Sequence, residues 1–366
     1  MIEQAFGRSS AYSLGVEEEV MILDGESLGL TPRVEILVEG AKERSLPGVL
    51  KMELLASMAE LATGVCESAV EARAALAELR RTAIEVADAS GLRIGAAATH
   101  PFSIPVEQDV APDPRYREFV EHAGVHARRQ AVCGLHVHVG MPSGDDCIHV
   151  LEGILPWLPL VLALSANSPY LAGEETGLAS ARAEVLAQLP RASAPPVFAS
   201  YAEWEAFVER YVELGLADDY TRFWWDVRPH PRFGTLEVRS PDQPTGLAVT
   251  AALVALLQAL CKTVLDAPPP EPANRGDYAQ NRWAALRFGP RAELIHPDGS
   301  RLVPVPELTR ELLALVGPAA AELGCAGLLE ALDPSGCEGD LQLEVGRAKG
   351  LEAVAADVVE RTLRSA

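Results

Sequence analysis

At 366 residues, 48% of them hydrophobic and 23% charged, the chain can bury a sizeable core as one large domain or two ordinary ones, with the composition of a soluble globular protein. A formal net charge of −21 excludes wrapping a nucleic acid, whose phosphates demand a basic surface, and leaves ATP open only if metal ions screen it. The six cysteines form no CxxC pair and read as reduced thiols; with no basic n-region or apolar h-region in the opening residues, no secretory signal is expected and the protein is placed in the cytoplasm.

Tyr12 to Leu23 reads as a strand ending in an Asp24-Gly25 turn. Side chains two apart share a strand face, so Glu17 projects with Glu19 while Val16 and Val20 face a hydrophobic layer. Leu50 to Leu61 is ambiguous; as a helix it would place Glu53 and Glu60 on nearly one face, beside Leu54, Met58 and Leu61. Ser68 to Ser90 reads as an amphipathic helix with Val70, Ala74, Leu76, Leu79, Ala83, Val86 and Ala87 on its apolar face and Gly91 as its stop. A short strand from Arg93 to Ala98, a Pro-rich loop and a helix from Pro114 to Gln130 follow, then a strand presenting His136 and His138 on one face.

Val150–Ala166 and Gly246–Leu265 are apolar, but Glu152, Pro156, Pro159, Gln258 and Lys262 mark them as buried helices, and no membrane partner is expected. Between them lies a long Gly- and Pro-rich stretch, Gly173 to Pro196, of the kind that often carries function. A helix at Trp204–Leu214 precedes Phe223–Ser240, whose strand projects Glu237 with Arg239; a Pro-rich break at Pro268–Pro272 leads to Asn281–Gly289 and two C-terminal helices. No repeat and no long polar linker interrupts the pattern, so residues 1–366 read as a single α+β domain around a mainly antiparallel sheet.

Neither GxxxxGKS/T nor a GxGxxG between strand and helix is present, so a nucleotide would be held through metal ions and arginines. Several carboxylates in one concavity repel unless cations join them, and Glu17, Glu19, Glu60 and Glu237 are oxygen donors of the kind Mg²⁺ bridges to phosphates. By the same repulsion, Glu17→Gln or Glu237→Gln should leave the metal-free fold intact or slightly more stable. The His136-Val-His138 pair keeps a zinc site open. Arg182, Arg228, Arg232, Arg239, Arg282 and Arg287 lie in or beside Gly-, Pro- and Trp-containing segments and suit a bidentate grip on carboxylate or phosphate.

Taken in order, Gly15-Val-Glu-Glu-Glu19, Met58-Ala-Glu-Leu-Ala-Thr-Gly-Val-Cys66, Cys133-Gly-Leu-His-Val-His-Val-Gly140, Ser165-Ala-Asn-Ser-Pro-Tyr170, the run from Trp224 to Arg239 and Asn281-Arg-Trp283 resemble the type 2 glutamate–cysteine ligase family, and more narrowly its YbdK-type carboxylate–amine ligases. The resemblance implies a glutamine-synthetase-like fold with a curved, mainly antiparallel sheet forming an active-site funnel, and helices on its outer face. It implies ATP and Mg²⁺ as cofactors, and glutamate or a similar carboxylate and cysteine or another amine as partners; a homodimer is a further expectation. It aligns Glu17, Glu19, Glu60, His136 and Glu237 with metal-binding positions, Arg239 with a phosphate-facing arginine, Arg182 and Arg228 with carboxylate clamps, and Asn281 and Arg282 with nucleotide-binding positions. The roles of His138 and Glu53 stay open. Two other readings compete: a zinc hydrolase using the two histidines, and a non-catalytic nucleotide or amino-acid sensor.

Overall fold

The computed structural model describes residues 2–366 and is built around a seven-stranded sheet. Its strands are β1 (Leu14–Asp24), β2 (Gly48–Met52), β3 (Met58–Thr63), β4 (Leu92–Gly95) and β5 (Leu135–Gly140). A two-stranded hairpin of β6 (Tyr170–Leu171) and β7 (Glu174–Glu175) stands apart, and β8 (Val227–His230) with β9 (Thr235–Val238) completes the main sheet. The order is β2-β3-β1-β5-β9-β8, every pairing is antiparallel, and β4 pairs with the C-terminal part of β1. One edge of β1 thus meets β5 first and β4 further along, so the sheet stays open. The α+β, antiparallel architecture expected from the sequence is the one found.

The alternating residues behave as the period of two requires. Val16, Leu135, Val137, Val139, Leu236 and Val238 are buried in one apolar cluster with the helix Leu247–Leu265. That helix and the stretch Gly144–Ser165 are the two long enough and apolar enough to cross a membrane, and 72% and 78% of their apolar windows are buried inside the fold. Pro156 and Pro159 break the second one into Gly144–Ile154, a 3₁₀ turn and Leu158–Ser165.

Three expectations are corrected. Residues 48–63 form the β2–β3 hairpin and no helix, so Glu53 and Glu60 approach each other through a chain reversal. The helix Ala69–Ala89 buries Leu76, Leu79, Ala83, Val86 and Ala87 as expected, but Val70 and Ala74 are exposed, while Ala72, Ala75 and Arg80 are buried. The burial of Arg80 follows from an ion pair, because Glu18 points into the apolar side of β1 and Arg80 reaches it with Nη2 at 2.5 Å, both fully buried. Finally, the segment from Pro114 breaks at Gly124, whose φ of +59° ends the first helix at Ala123.

Candidate active site

The charged face of the sheet lies opposite the core, and strand register decides which groups meet. Glu17 stands across from His136, and Glu19 across from Glu60, which faces Lys51 on β2. His138 stands across from Glu237, which faces Arg228 on β8. All except Lys51 line one cleft of about 660 Å³, within the usual range for ligand sites.

At the β1–β5–β9 side of the cleft, Glu17, His138 and Glu237 each present a ligand atom, all within 4.8 Å of one another. His138 Nδ1 lies 2.9 Å from Thr235 Oγ1, which turns Nε2 toward Glu17 Oε1, 3.8 Å away. A second bond of this kind is what orients metal-binding imidazoles. Burial acts to raise the Glu237 carboxyl, yet the Arg228 and Arg239 guanidiniums hold it well below the usual range. Arg228 Nε donates to it at 2.6 Å, and Arg239 donates to its other oxygen. Glu17 is likewise held low against its burial, by hydrogen bonds from His136 and His138. His138 in turn is raised, its burial outweighed by Glu17 and Glu237.

The β2–β3 side is the reverse. Burial, with the charges of Glu19 and Glu60, pushes Glu53 well above the usual carboxyl range. Burial and Glu17 push Glu60 up to about 7 despite Lys51 Nζ at 2.7 Å. Carboxyls that raise one another are short of positive charge, and a set of five glutamates with one imidazole is a donor set that fits Mg²⁺. The expected repulsion therefore resides on Glu53 and Glu60. For Glu17 and Glu237 the neighbouring imidazoles and guanidiniums point the other way, toward stabilised charged forms.

The sequence-predicted residues divide accordingly. Glu17, Glu19, Glu60, His136, Glu237, Arg182, Arg228 and Arg239 all reach the cleft, together with Glu53 and His138. His136 Nδ1 lies 3.2 Å from Glu17, outside the three-residue group, so the two histidines do not share one zinc-type site among the described residues. Asn281 and Arg282 stay out of the cleft: Asn281 exchanges hydrogen bonds with the Ile295 backbone, and Arg282 donates to Asp226 and to the Ala183 carbonyl. Both are buried, and Asn281 lines a separate small cavity.

Arg182 lies beneath Gly134, where a Cβ would come within 2.1 Å of its guanidinium. Its terminal nitrogens donate to the Arg239 and Ser240 carbonyls at 3.0 and 3.3 Å, leaving Nε without a partner. The turn after Arg239 is fixed by Asp242, whose buried carboxylate accepts from the Asn167 N–H and the Ser168 and Ser180 hydroxyls. This explains the Ser165–Tyr170 motif: it anchors the strand end that carries Arg239. Gln130, which also lines the cleft, was invisible in the sequence because nothing marks it there as facing the sheet.

The sequence model for glutamate–cysteine ligase family 2 matches residues 13–342. A Rubrobacter xylanophilus protein provisionally named glutamate–cysteine ligase 2-3 is 42% identical over 329 residues, 90% of each chain. A Sorangium cellulosum protein provisionally named glutamate–cysteine ligase 2 is 37% identical over 361 residues, 96% of each. Among solved structures, the glutamate–cysteine ligase of Francisella tularensis in complex with AMP superposes with a TM-score of 0.71 at 16% identity, covering 97% of this chain and 89% of that one. A bifunctional glutathione synthetase from Pasteurella multocida gives 0.69 at 16% identity, over 96% of this chain and 52% of the other. At that identity the two superpositions speak for the fold.

Proposed function

The chain belongs to glutamate–cysteine ligase family 2, and from that premise we propose that it is an ATP-dependent carboxylate–amine ligase. Its reference reaction joins L-glutamate to L-cysteine, slowly, giving γ-glutamylcysteine, ADP and phosphate. The observation that carries this reading is the two-sided cleft: carboxylates stabilised as anions beside two arginines on one side, and carboxyls short of positive charge on the other.

Phosphoryl transfer needs positioning and charge compensation more than covalent help from the protein. A substrate carboxylate oxygen attacks the γ-phosphorus of ATP, the bond to the β,γ-bridging oxygen breaks, and ADP leaves. Arg239 is the cation assigned to the phosphates, its bond to Glu237 using one guanidinium nitrogen. Arg228 is tied to Glu237 and to the Thr221 and Phe223 carbonyls, so it acts by holding Glu237 in place and charged. Arg182 lines the same cleft, and its buried Nε has no partner among the described residues. The lone pair of the neutral amine then attacks the acyl carbon, the carbon–oxygen bond to phosphate breaks, phosphate leaves, and the nitrogen's proton passes to solvent. Glu17, His138 and Glu237, with Glu19, Glu53 and Glu60, would hold Mg²⁺, which when bound offsets the phosphate charge.

Residues 1–366 form one ligase domain in this reading, and six free cysteines suit a reducing cytoplasm. The deciding experiment measures ADP release from Mg·ATP with glutamate, across a panel of amines and an amine-free control. Release that needs both glutamate and an amine is expected; bound ATP with no turnover for any pair would favour the sensor reading.

A further inference from the structure

One side of the cleft is apolar, lined by Leu54, Phe119, Val132, Leu186, Leu189 and Trp224. The Phe119 and Trp224 rings stand 5.1 Å apart, and Leu54, Phe119 and Leu189 belong to a buried cluster, so this wall is built into the fold. Apolar surface turned toward a polar cleft favours a ligand that covers it.

Two residues that line the cleft with that wall, Gln130 and Arg182, each carry a buried polar atom without a partner among the described residues. Gln130 is only 7% exposed, and its amide nitrogen donates to the His126 and Val185 carbonyls at 3.0 and 3.2 Å. Those two carbonyls fix which end of the amide is oxygen, and that oxygen has no partner. The Nε of Arg182, a residue 2% exposed, is the unpaired donor. Both belong to one piece of structure, since Arg182 sits in the helix Ala181–Leu186 whose Val185 receives the Gln130 amide. Buried polar groups without partners in a ligand cleft call for partners on the ligand.

An acceptor, a cationic donor and an apolar wall match the three parts of an α-amino acid. Arg182 adjoins the phosphate-handling arginines through the Arg239 and Ser240 carbonyls, whereas β2, whose end leads into Glu53 and Leu54, is four strands from β9 in the sheet, about 19 Å. Resting on the ligase reading, we infer that the amine substrate is an α-amino acid with an apolar side chain, of the leucine, methionine or phenylalanine class. Its amino group donates one N–H to Gln130 Oε1 and keeps its lone pair for the acyl carbon. Its carboxylate meets Arg182 Nε, and its side chain covers the Leu186–Leu189–Phe119 wall.

The test uses the full chain with Mg·ATP and glutamate. Hydroxylamine, a small nucleophile needing no side-chain pocket, reports acyl-phosphate formation as hydroxamate. Leucine, methionine and phenylalanine should exceed alanine and cysteine in kcat/KM by about tenfold or more, the usual effect of a well-fitted apolar group. In Leu186→Gln the leucine-to-alanine ratio should collapse, and in Gln130→Met the KM for leucine should rise about tenfold, each compared with the same variant's hydroxamate rate so that partial misfolding cancels. Hydroxamate formed with no preference among amino acids would overturn the inference and leave the ligase reading standing. So would variants that move the KM for ATP or for glutamate instead, since the wall would then hold the adenine or the other substrate. Neither hydroxamate nor ADP under any condition would bring down the ligase reading and this inference with it.

Discussion

Glu17 and Glu60 sit on adjacent strands and face the same cleft, yet they are displaced in opposite directions. Glu17 has two histidines as hydrogen-bond partners; Glu60 has one lysine against burial and a neighbouring carboxylate. Glu17→Gln and Glu237→Gln should therefore cost stability at neutral pH, along with at least about 100-fold in ADP formation, measured side by side by thermal melts and a coupled ADP assay. Unchanged melting with lost turnover would mean that the histidines and arginines do not anchor these carboxylates. Glu60 behaves the other way. The folded protein keeps a proton there up to about pH 7, whereas the unfolded chain sheds it near the ordinary carboxyl value. The stability from this group is present below that ordinary value and is lost as pH rises toward 7. Glu60→Gln should gain on wild type in Tm between about pH 5 and pH 8 without added metal, and a gain that stays flat with pH would contradict the raised carboxyl.

Strands were more legible than their surroundings. β1, β5 and β9 announce themselves by alternation, because a half-buried strand has a period of two and each apolar partner was found buried. The hairpin at 48–63 was not legible, since its short apolar run suits either period until β1 arrives to pair with it. The face of Ala69–Ala89 was legible at Leu76, Leu79, Ala83, Val86 and Ala87 but not at its first turns, and nothing local reveals that Arg80 turns inward toward Glu18. That pair is further held by the Pro244 and Thr245 carbonyls, Gln243 and Thr250, tying β1 between its two cleft glutamates to the segment after Arg239. Removing one partner strands a buried charge, so Arg80→Met should lose about 3–5 kcal/mol in urea unfolding, and adding Glu18→Gln should recover part of it. Additive losses in the double variant would mean that the two charges do not depend on each other.

Over the whole molecule, a net charge of −21 gathers carboxylates that a divalent cation can relieve. Mg²⁺ should raise Tm beyond an NaCl control of equal ionic strength, and more at pH 8 than at pH 5.5, because protons on Glu53 and Glu60 compete with the metal. An equal rise with NaCl would reduce the effect to screening. The sequence by itself determined strands β1, β5 and β9 with their two faces, the family, and the glutamates, histidines and arginines that these motifs bring to the cleft, because alternation and ordered motifs are local properties of the chain. Only the tertiary structure decided that His138 joins Glu17 and Glu237 while His136 does not, that Glu53 enters the cleft, and that Asn281 and Arg282 stay out of it. These depend on register between strands far apart in sequence and on which buried partner each side chain finds, and neither is written in any one segment.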